Sequence, residues 1–402
     1  MFRIKRHFAL LALLLASVVA AYGDAPGSVT DFASSAAINA PKAAVLIVDL
    51  KTGNVIGEHN ADRPLIPASI MKAVTTATLL DKTGPQFEYI TPVYITGKLE
   101  GDRLDGNLLI EASGDPTINS SHDPGSTDFV AEIVGAVADL GIKTITGRII
   151  IDEGKFPGAA VNPTWQSGDL PHYYGTGTHG FNFQDNASGK NSVKDPAGVF
   201  AARLRSALSA AGISVGNEEV KCHGKKLIGQ HRSATIDEIM RSCMMRSDNQ
   251  YAESMLRLVG LEYGGEGSVA EGAKEELKYW KNRRAALDSV AIYDGSGLSR
   301  SNRVTARFMG DVLRHMAKNP YYASFFPLAG QEGTLKKFLA GTSLEGYIAM
   351  KTGSMKGIQC YAGYKLDDDY VPTHLVVVML NDMADRAKAR AEVEKMLLRI
   401  FE

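Results

Sequence analysis

A run of mostly apolar residues that begins after Pro67 constrains the fold more than any other stretch of this sequence. Residues 70–80 contain no helix breaker before Gly84, and proline suits the first turn of a helix. Because the run is apolar around most of the helical cylinder, it predicts a helix buried inside the protein. Ser69 lies at its start, and Lys72, three residues later, lies on the same face. The helix is expected to hold a hydroxyl and an amine side by side.

The pair Ser69 and Lys72 has the spacing of a nucleophile and its base. A serine hydroxyl is a poor nucleophile at neutral pH, but a lysine that burial and a second cation keep neutral can take its proton. Free backbone N–H groups at the start of the helix would supply part of an oxyanion hole. A Ser with a Lys three residues on is more often a surface pair. The apolar surroundings favour the catalytic interpretation.

Length, charge and the N-terminus indicate an exported protein of two or more domains. The chain has 402 residues, which exceeds one usual core, and a net charge of -1, which gives no support for nucleic-acid binding. Residues 1–23 combine basic residues with an apolar run and small residues before Asp24, which predicts a signal peptide. An uncleaved membrane anchor is the alternative. We expect secretion through the inner membrane to the periplasm, with peripheral contact to the membrane or an envelope protein left open.

The cysteines indicate neither a disulfide framework nor a metal site. Cys222, Cys243 and Cys360 are too few for a framework, and they have no paired metal-ligand spacing with the nine histidines. At most one disulfide can form, and buried free thiols are the expected state. The sequence indicates no cofactor.

Periodicity and turn signals predict a mixed α+β fold. Five strands, which can form one sheet, are expected over residues 43–50, 55–59, 347–351, 358–366 and 373–380, with a helix over 385–401 after them. Residues 24–42 are small and polar and are expected to lie loosely over the surface. Short strands, Gly-rich turns and two helices between positions 89 and 234 indicate an insertion. After it, a capping box at Thr235 predicts a helix, and a second helix is expected from about Gln250 to its end at Gly260.

Ser247, Asp248 and Asn249 interrupt the helical stretch that follows the insertion. Between two helices, their side chains can leave the helical hydrogen-bond pattern and point into a cleft. A hydroxyl and an amide there would shuttle a proton and hold a substrate amide. The alternative is a helix N-cap, because all three residue types are preferred at that position.

The tripeptide Lys351, Thr352, Gly353 occurs three times in this chain, so its context has to distinguish it. The copy at 51–53 is expected in a hairpin turn and the copy at 82–84 at a helix end. Only Lys351 is expected to end a strand and to be followed by Ser354 and another strand. There, the lysine and threonine would take a carboxylate, the glycine would let a ligand backbone approach, and the Ser354 N–H would be a second oxyanion donor.

Ser-x-x-Lys at 69–72, Ser-x-Asn at 247–249 and Lys-Thr-Gly at 351–353, in this order, resemble the signature of penicillin-recognising acyl-serine transferases. The chain looks most like the class C low-molecular-mass penicillin-binding proteins, the D-alanyl-D-alanine carboxypeptidase/endopeptidases of the penicillin-binding protein 4 group. Further matching stretches are residues 114–116, 294–300, 327–330 and 333–335. The resemblance implies a β-lactamase/transpeptidase-like catalytic domain, an antiparallel sheet flanked by helices, at 24–88 and 235–402. It implies a β-rich accessory domain at 89–234.

The resemblance also assigns roles to the motif residues. Ser69 becomes the acylated nucleophile and Lys72 its base, while Ser247 and Asn249 become the proton relay and the substrate clamp. Lys351 and Thr352 would hold the terminal carboxylate of the substrate.

Three further positions match the family's recognition of the free amino-acid centre of a diaminopimelate side chain. Asp169, with Tyr174 five residues later, fits the pair that the inserted region contributes, and Arg300 fits the arginine of the loop at 294–300. A loop aspartate with a core aromatic is the alternative for the first two. The chain departs from some relatives at Lys356, where they carry a Gln, so this edge of the pocket is more cationic.

The implied activity is that of a penicillin-sensitive serine-type D-Ala-D-Ala carboxypeptidase and endopeptidase. It would hydrolyse peptidoglycan stem peptides and cross-links through an acyl-serine, and β-lactam antibiotics would acylate the same serine. The alternatives are a β-lactamase, which shares the acylation machinery but deacylates fast, and a non-catalytic peptidoglycan-binding protein. A Ser/His/Asp hydrolase is disfavoured because the sequence has no Gly-x-Ser-x-Gly.

Overall fold

The computed structural model describes residues 24–122 and 127–402, so the predicted signal peptide lies outside the described residues. Within these ranges the chain forms the helices α1 (Ala25–Ser34), α2 (Met71–Thr83), α3 (Phe129–Asp139), α4 (Pro196–Ala210), α5 (Ile236–Arg246), α6 (Asn249–Gly264), α7 (Val269–Asn282), α8 (Ala306–Met316) and α9 (Arg386–Phe401). The strands are β1 (Ala43–Asp49), β2 (Val55–His59), β3 (Glu88–Thr96), β4 (Lys98–Glu100), β5 (Arg103–Asp105), β6 (Leu108–Glu111), β7 (Thr144–Ile145), β8 (Ile149–Asp152), β9 (Ala187–Ser188), β10 (Asn191–Ser192), β11 (Ser214–Val215), β12 (Lys225–Thr235), β13 (Ile348–Met355), β14 (Ile358–Leu366) and β15 (Pro372–Leu380).

The N-terminal hairpin and the three C-terminal strands form one antiparallel sheet in the order β13-β14-β15-β1-β2. This confirms the predicted sheet. Every residue of β1 is buried, because helices cover both faces of the sheet. Ala44, Leu46 and Val48 face a core formed with α2, α5, α6, α7 and α8. Val45 and Ile47 face a second core formed with α1 and α9. A strand covered on both sides can be apolar throughout.

Helix α2 lies inside the first core, as its sequence predicts. Its residues 71–80 are all buried, and the helix packs against α5, α6, α7 and α8. It begins after a short 3₁₀ turn, Ala68–Ile70, which contains Ser69. Gly84, with φ 76°, ends the helix. The sheet and the surrounding helices therefore fix the position of Ser69 and Lys72.

The region between α2 and α5 has a hydrophobic core of its own, built around α3 and α4. Its strands form the sheets β12-β3-β6-β8 and β11-β7-β5-β4 and the pair β10-β9. The first and last long strands, β3 and β12, pair antiparallel, so the chain enters and leaves this region at neighbouring positions. Its division from the rest as a domain at 89–234 stays a prediction.

Two local predictions are wrong. Residues 25–34 are not loose but form α1, whose start is capped by Asp24 through the Gly27 N–H at 2.9 Å. Helix α6 does not end at Gly260 but continues to Gly264. A Cβ at position 260 would lie 2.8 Å from the backbone nitrogen of Gly272. The glycine therefore permits close approach of α6 and α7 rather than stopping the helix.

Strand β13 is an outer strand of the central sheet, and its free edge is only partly covered. Residues 327–329 run along it, with backbone hydrogen bonds from Ala329 N to Ile348 O at 2.8 Å and from Met350 N to Pro327 O at 3.2 Å. Beyond Met350, no other strand of the described chain pairs with this edge. The Lys-Thr-Gly tripeptide lies in that open part.

The cysteines are free thiols, as expected. Cys243 and Cys360 are buried, whereas Cys222 is partly exposed because it lies in the loop before β12. In the ranges that the structure covers, no helix has both the length and the apolar character needed to span a membrane.

The packing of α1 can be tested by truncating Phe32, which is 2% exposed in the second core. We expect Phe32→Ala to lower the free energy of unfolding by about 3–5 kcal/mol, the usual cost of emptying a core aromatic site. Thr30→Ala, at an exposed position of the same helix, should change it by no more than about 0.5 kcal/mol. Urea unfolding of both variants gives the comparison, and equal midpoints would mean that α1 is not part of the core.

Candidate active site

The turn that carries Ser69 has a strained backbone and no free space beneath it. Ala68 is fully buried and has φ 48°, a left-handed conformation that a residue with a Cβ rarely adopts. Gly297, with φ 80°, packs against this turn, since a Cβ at position 297 would lie 1.9 Å from the Ala68 carbonyl oxygen. The loop at 294–300 therefore supports the Ser69 turn directly.

The amine of Lys72 has hydrogen-bond partners on three separate segments. Its Nζ lies 3.1 Å from Ser69 Oγ, 2.6 Å from Asn249 Oδ1 and 2.8 Å from the Ser296 carbonyl oxygen. The lysine side chain itself is fully buried. The structure thus joins the predicted Ser69, Lys72 and Asn249 in one cluster, and it adds Ser296.

The surroundings of Lys72 and Lys351 make both amines easier to deprotonate than the amine of an exposed lysine. Burial lowers the pKa of Lys72, against the opposing effect of the Cys243 thiol and nearby carboxylates. Burial, and after it the charge of Lys72, lowers the pKa of Lys351 well below its usual value. The expected burial and proximity of a second cation are therefore present.

The three residues of the Ser247–Asp248–Asn249 turn make different contacts. Asp248 is the N-cap of α6 and accepts a hydrogen bond from the Tyr251 N–H at 3.1 Å. The capping alternative is therefore correct for Asp248. Asn249 instead places its amide between Lys72 and the carbonyl of Tyr174, to which its Nδ2 donates at 2.7 Å.

Ser247 has φ 63° and ends α5 in a left-handed conformation. Its hydroxyl makes no hydrogen bond within the described part of the chain. It lines a cavity of about 590 Å³ together with Asn249, Tyr173 and Tyr174. The Ser247 hydroxyl is therefore not part of the cluster around Lys72. Ser247 and Asn249 nevertheless line the same cavity.

Lys351 does not end a strand, contrary to the prediction, because β13 continues to Met355 and pairs with β14 along its whole length. Gly353 is needed for a contact within the protein. A Cβ there would lie 2.6 Å from the Pro67 carbonyl oxygen and 3.0 Å from the Ser69 nitrogen. The glycine thus lets β13 lie against the Ser69 turn, a role that the sequence did not reveal.

The other residues of this motif have partners within the protein. The Lys351 amine donates to the Thr352 carbonyl at 2.8 Å, and the Thr352 hydroxyl donates to Thr334 Oγ1 at 2.8 Å. Ser354 is exposed, and its hydroxyl donates to Gln359 Oε1 at 2.8 Å. Of the two other Lys-Thr-Gly copies, one lies in the turn after β1 and the other ends α2, as expected.

The residues assigned to side-chain recognition are only partly brought together. The Tyr174 hydroxyl donates to Asp169 Oδ1 at 3.4 Å, and burial followed by the charge of Asp169 raises the pKa of the tyrosine. Arg300 makes no hydrogen bond to either. Its guanidinium donates to the Lys356 carbonyl at 3.2 Å, and its Nε has no partner within the described residues.

Two residues of the cluster were missed from the sequence. Ser296 contributes a backbone carbonyl, which no side-chain pattern can reveal. Glu253 lies four residues after Asn249 on α6, so it shares a helix face with that residue. This spacing was the available signal, but a buried carboxylate behind a lysine has no motif of its own.

The chain matches the D-Ala-D-Ala carboxypeptidase 3 (S13) family over residues 27–188 and 184–399. It belongs to that family. The resemblance inferred from the three motifs and the α+β fold are thereby confirmed, and the family supports the activity of a serine D-alanyl-D-alanine peptidase.

Relatives in this family are distant but align over most of their length. A D-alanyl-D-alanine carboxypeptidase from Actinomadura sp. is 24% identical over 80% of this chain and 74% of its own. The carboxypeptidase DacB from Mycolicibacterium smegmatis is 27% identical over 80% of this chain and 72% of its own. The crystal structure of penicillin binding protein 4 from Haemophilus influenzae superposes with a TM-score of 0.80 at 21% identity, covering 92% of this chain and 98% of that one.

The contact between Gly353 and the Ser69 turn can be tested in this S13 chain by adding one methyl group. Gly353→Ala should slow acylation by a fluorescent penicillin by about 100-fold, because the strand or the Ser69 turn must shift. Gly53→Asn alters the same tripeptide in the β1–β2 turn, where no atom lies within 4 Å of an added Cβ and Asn tolerates a positive φ. That variant should react at the wild-type rate. Unchanged acylation of Gly353→Ala would contradict the packing argument.

Proposed function

We propose that this protein is a penicillin-sensitive serine D-alanyl-D-alanine peptidase that hydrolyses peptidoglycan stem peptides and cross-links through an acyl-serine. The observation that carries the proposal is the 3.1 Å contact between Lys72 Nζ and Ser69 Oγ at a fully buried lysine. A buried amine in contact with a hydroxyl is the arrangement that general-base activation requires.

The hydrogen bonds of Lys72 support its role as the base. A neutral amine has two N–H groups and one lone pair. The acceptors Asn249 Oδ1 and Ser296 O, at 2.6 and 2.8 Å, take the two N–H groups. The lone pair is then left for the proton of the Ser69 hydroxyl. Because burial lowers the pKa of Lys72, the neutral form is reached at a lower pH than for an exposed lysine.

The reaction then has two steps. Ser69 Oγ attacks the carbonyl carbon of the penultimate D-Ala while its proton passes to Lys72, and the Ser69 and Ser354 N–H groups bind the oxyanion. The Ser247 hydroxyl relays the proton to the leaving amine, which departs as D-Ala or as the cross-linked D-amino centre. Water then hydrolyses the ester, which frees Ser69.

The remaining site residues bind the substrate. Lys351 and Thr352 take its terminal carboxylate, since a lysine amine and a hydroxyl can both donate hydrogen bonds to that group. Asp169, Tyr174 and Arg300 bind the free amino-acid centre of the stem side chain. The Lys356 ammonium adds positive charge at this edge.

The cellular setting follows from the substrate and the N-terminus. The predicted signal peptide at 1–23 would deliver the enzyme to the periplasm, where peptidoglycan lies. The region at 89–234 would be an accessory domain inserted into a catalytic domain at 24–88 and 235–402. Peripheral contact with the membrane or with another envelope protein stays a prediction.

Removing the Ser69 hydroxyl tests the nucleophile. We expect Ser69→Ala to lose all covalent labelling by fluorescent penicillin, because Ser69 Oγ is the hydroxyl in contact with the Lys72 base. Asn249→Ala, which removes the clamp and one acceptor of the Lys72 amine, should label about 10²- to 10³-fold more slowly. Labelling is measured by gel fluorescence against time. Labelling of Ser69→Ala at the wild-type level would rule out the assignment.

Turnover separates the peptidase from its alternatives. We expect wild-type protein to keep the penicillin label for far longer than a catalytic cycle and to release D-Ala from a pentapeptide. Rapid loss of the label with hydrolysed penicillin would indicate a β-lactamase. Absence of D-Ala release, together with binding of the pentapeptide, would indicate a non-catalytic protein. Digestion of cross-linked peptidoglycan, with dimers converted to monomers, measures the endopeptidase activity.

A further inference from the structure

Glu253 is a buried carboxyl group directly behind the Lys72 cluster. It lies on α6 one turn after Asn249 and is 2% exposed. Its Oε1 accepts a hydrogen bond from the Ser296 N–H at 2.8 Å. The carbonyl of the same Ser296 accepts from Lys72 Nζ at 2.8 Å. The Ser296 backbone is therefore hydrogen-bonded to Glu253 through its N–H and to the Lys72 amine through its carbonyl.

The rest of the loop is anchored independently of Glu253. Thr75 Oγ1 donates to the Gly295 carbonyl at 3.0 Å, and Asp294 accepts from the Gly297 N–H at 2.9 Å. Among the described residues, Glu253 is the only side chain that binds the Ser296 N–H. Loss of its oxygen would leave that donor unpaired in a buried position, which is costly.

Glu253 belongs to a group of three buried carboxyl side chains, with Asp294 and Glu276. Asp294 accepts four hydrogen bonds, from Trp165 Nε1 and Asn302 Nδ2 and from the N–H groups of Gly297 and Ser299. Glu253 Oε2 and Glu276 Oε2 have no donor within the described chain. Both oxygens of Asp294 therefore have donors, whereas each glutamate has one oxygen without a donor.

The two glutamates titrate near neutral pH. Burial, and after it the charge of Asp294, raises the pKa of Glu253 to about 8. Burial raises the pKa of Glu276 to about 8 as well. Of the two glutamates, Glu253 is the one that acts on Lys72, whose ammonium form it favours when ionised, after the larger effects of Cys243, Asp248 and Asp294. The other titratable groups near Lys72 or Glu253 are Cys243 from α5, Asp248 before α6, Arg257 from α6, Glu276 from α7, Asp294 from the loop and Lys351 from β13.

We propose that Glu253 is a positioning residue for the reaction: through the backbone of Ser296 it holds the Lys72 amine against Ser69, and its negative charge, when present, adds to those that favour the ammonium form of that amine. The inference rests on the proposed function, since it assumes that Lys72 is the base. Glu253 would act in two ways, through its hydrogen bond to the Ser296 N–H and through its charge.

The two effects predict different variants. Glu253→Gln keeps an oxygen for the Ser296 N–H and removes the charge. Because an ionised Glu253 stabilises the ammonium form of Lys72, its loss lets the neutral amine form at lower pH. The rising limb of the acylation rate against pH should therefore move down in the range above about pH 8, where Glu253 is ionised in the wild type. The rate at the optimum should stay within about threefold of wild type.

Glu253→Leu removes both effects and leaves the Ser296 N–H without an acceptor. Its acylation rate should fall by about 10- to 100-fold across the whole pH range. Glu276→Gln is the matched control. Glu276 is equally buried and has the same raised pKa, but it binds Thr78 Oγ1 at 3.3 Å and does not contact Ser296. This control should leave both the rising limb and the optimum in place.

The experiment is the acylation rate by a fluorescent penicillin between about pH 5 and about pH 10 for the full chain and the three variants. A profile of Glu253→Gln that superposes on the wild-type profile would overturn the proposal. A shift of the same size in Glu276→Gln would also overturn it, because the effect would then belong to the acid cluster as a whole. Labelling of wild type with none of Ser69→Ala keeps the proposed function standing in either case.

Discussion

The buried amine of Lys72 is the interaction on which the rest of this structure depends. A lysine with no exposed surface is costly to bury unless its N–H groups are paired. Here the partners come from the turn at Ser69, from Asn249 on α6 and from the Ser296 carbonyl. These three segments are far apart in the sequence, so the amine is satisfied only when the whole catalytic region is folded. Stability and chemistry therefore have the same geometric requirement.

Much of this arrangement could be predicted, because it follows from local patterns. The apolar run of α2, the strand pattern and the order of the three motifs depend on neighbours in the sequence. The grouping of the five strands into one sheet followed from them, but the strand order did not. The errors concern contacts between distant segments. Gly260 is a helix stop by propensity, but α7 packs against it. Lys351 lies within a strand because β14 continues beside it. The role of Glu253 required knowing that Ser296 returns to α6, which no spacing reveals.

The region between α2 and α5 contacts the Lys72 cluster through its backbone. The Tyr174 carbonyl fixes the orientation of the Asn249 amide, so that its oxygen faces Lys72. Arg257 on α6, which is 2% exposed, donates to the carbonyls of Phe156 and Thr178 and so ties the same loop region to the helix. The orientation of the Asn249 amide therefore depends on residues outside the three motifs.

The partial cover on β13 has a consequence for any extended peptide that lies along the central sheet. An open sheet edge offers a row of unpaired backbone groups, which attracts any strand-like chain, including a second copy of the protein. Residues 327–329 already use that edge as far as Met350. A guest strand can therefore join only from Lys351 onward, beside the Ser69 turn. Residues 327–329 therefore fix where an added strand can begin. They also shorten the exposed strand edge that could pair with a second copy of the protein.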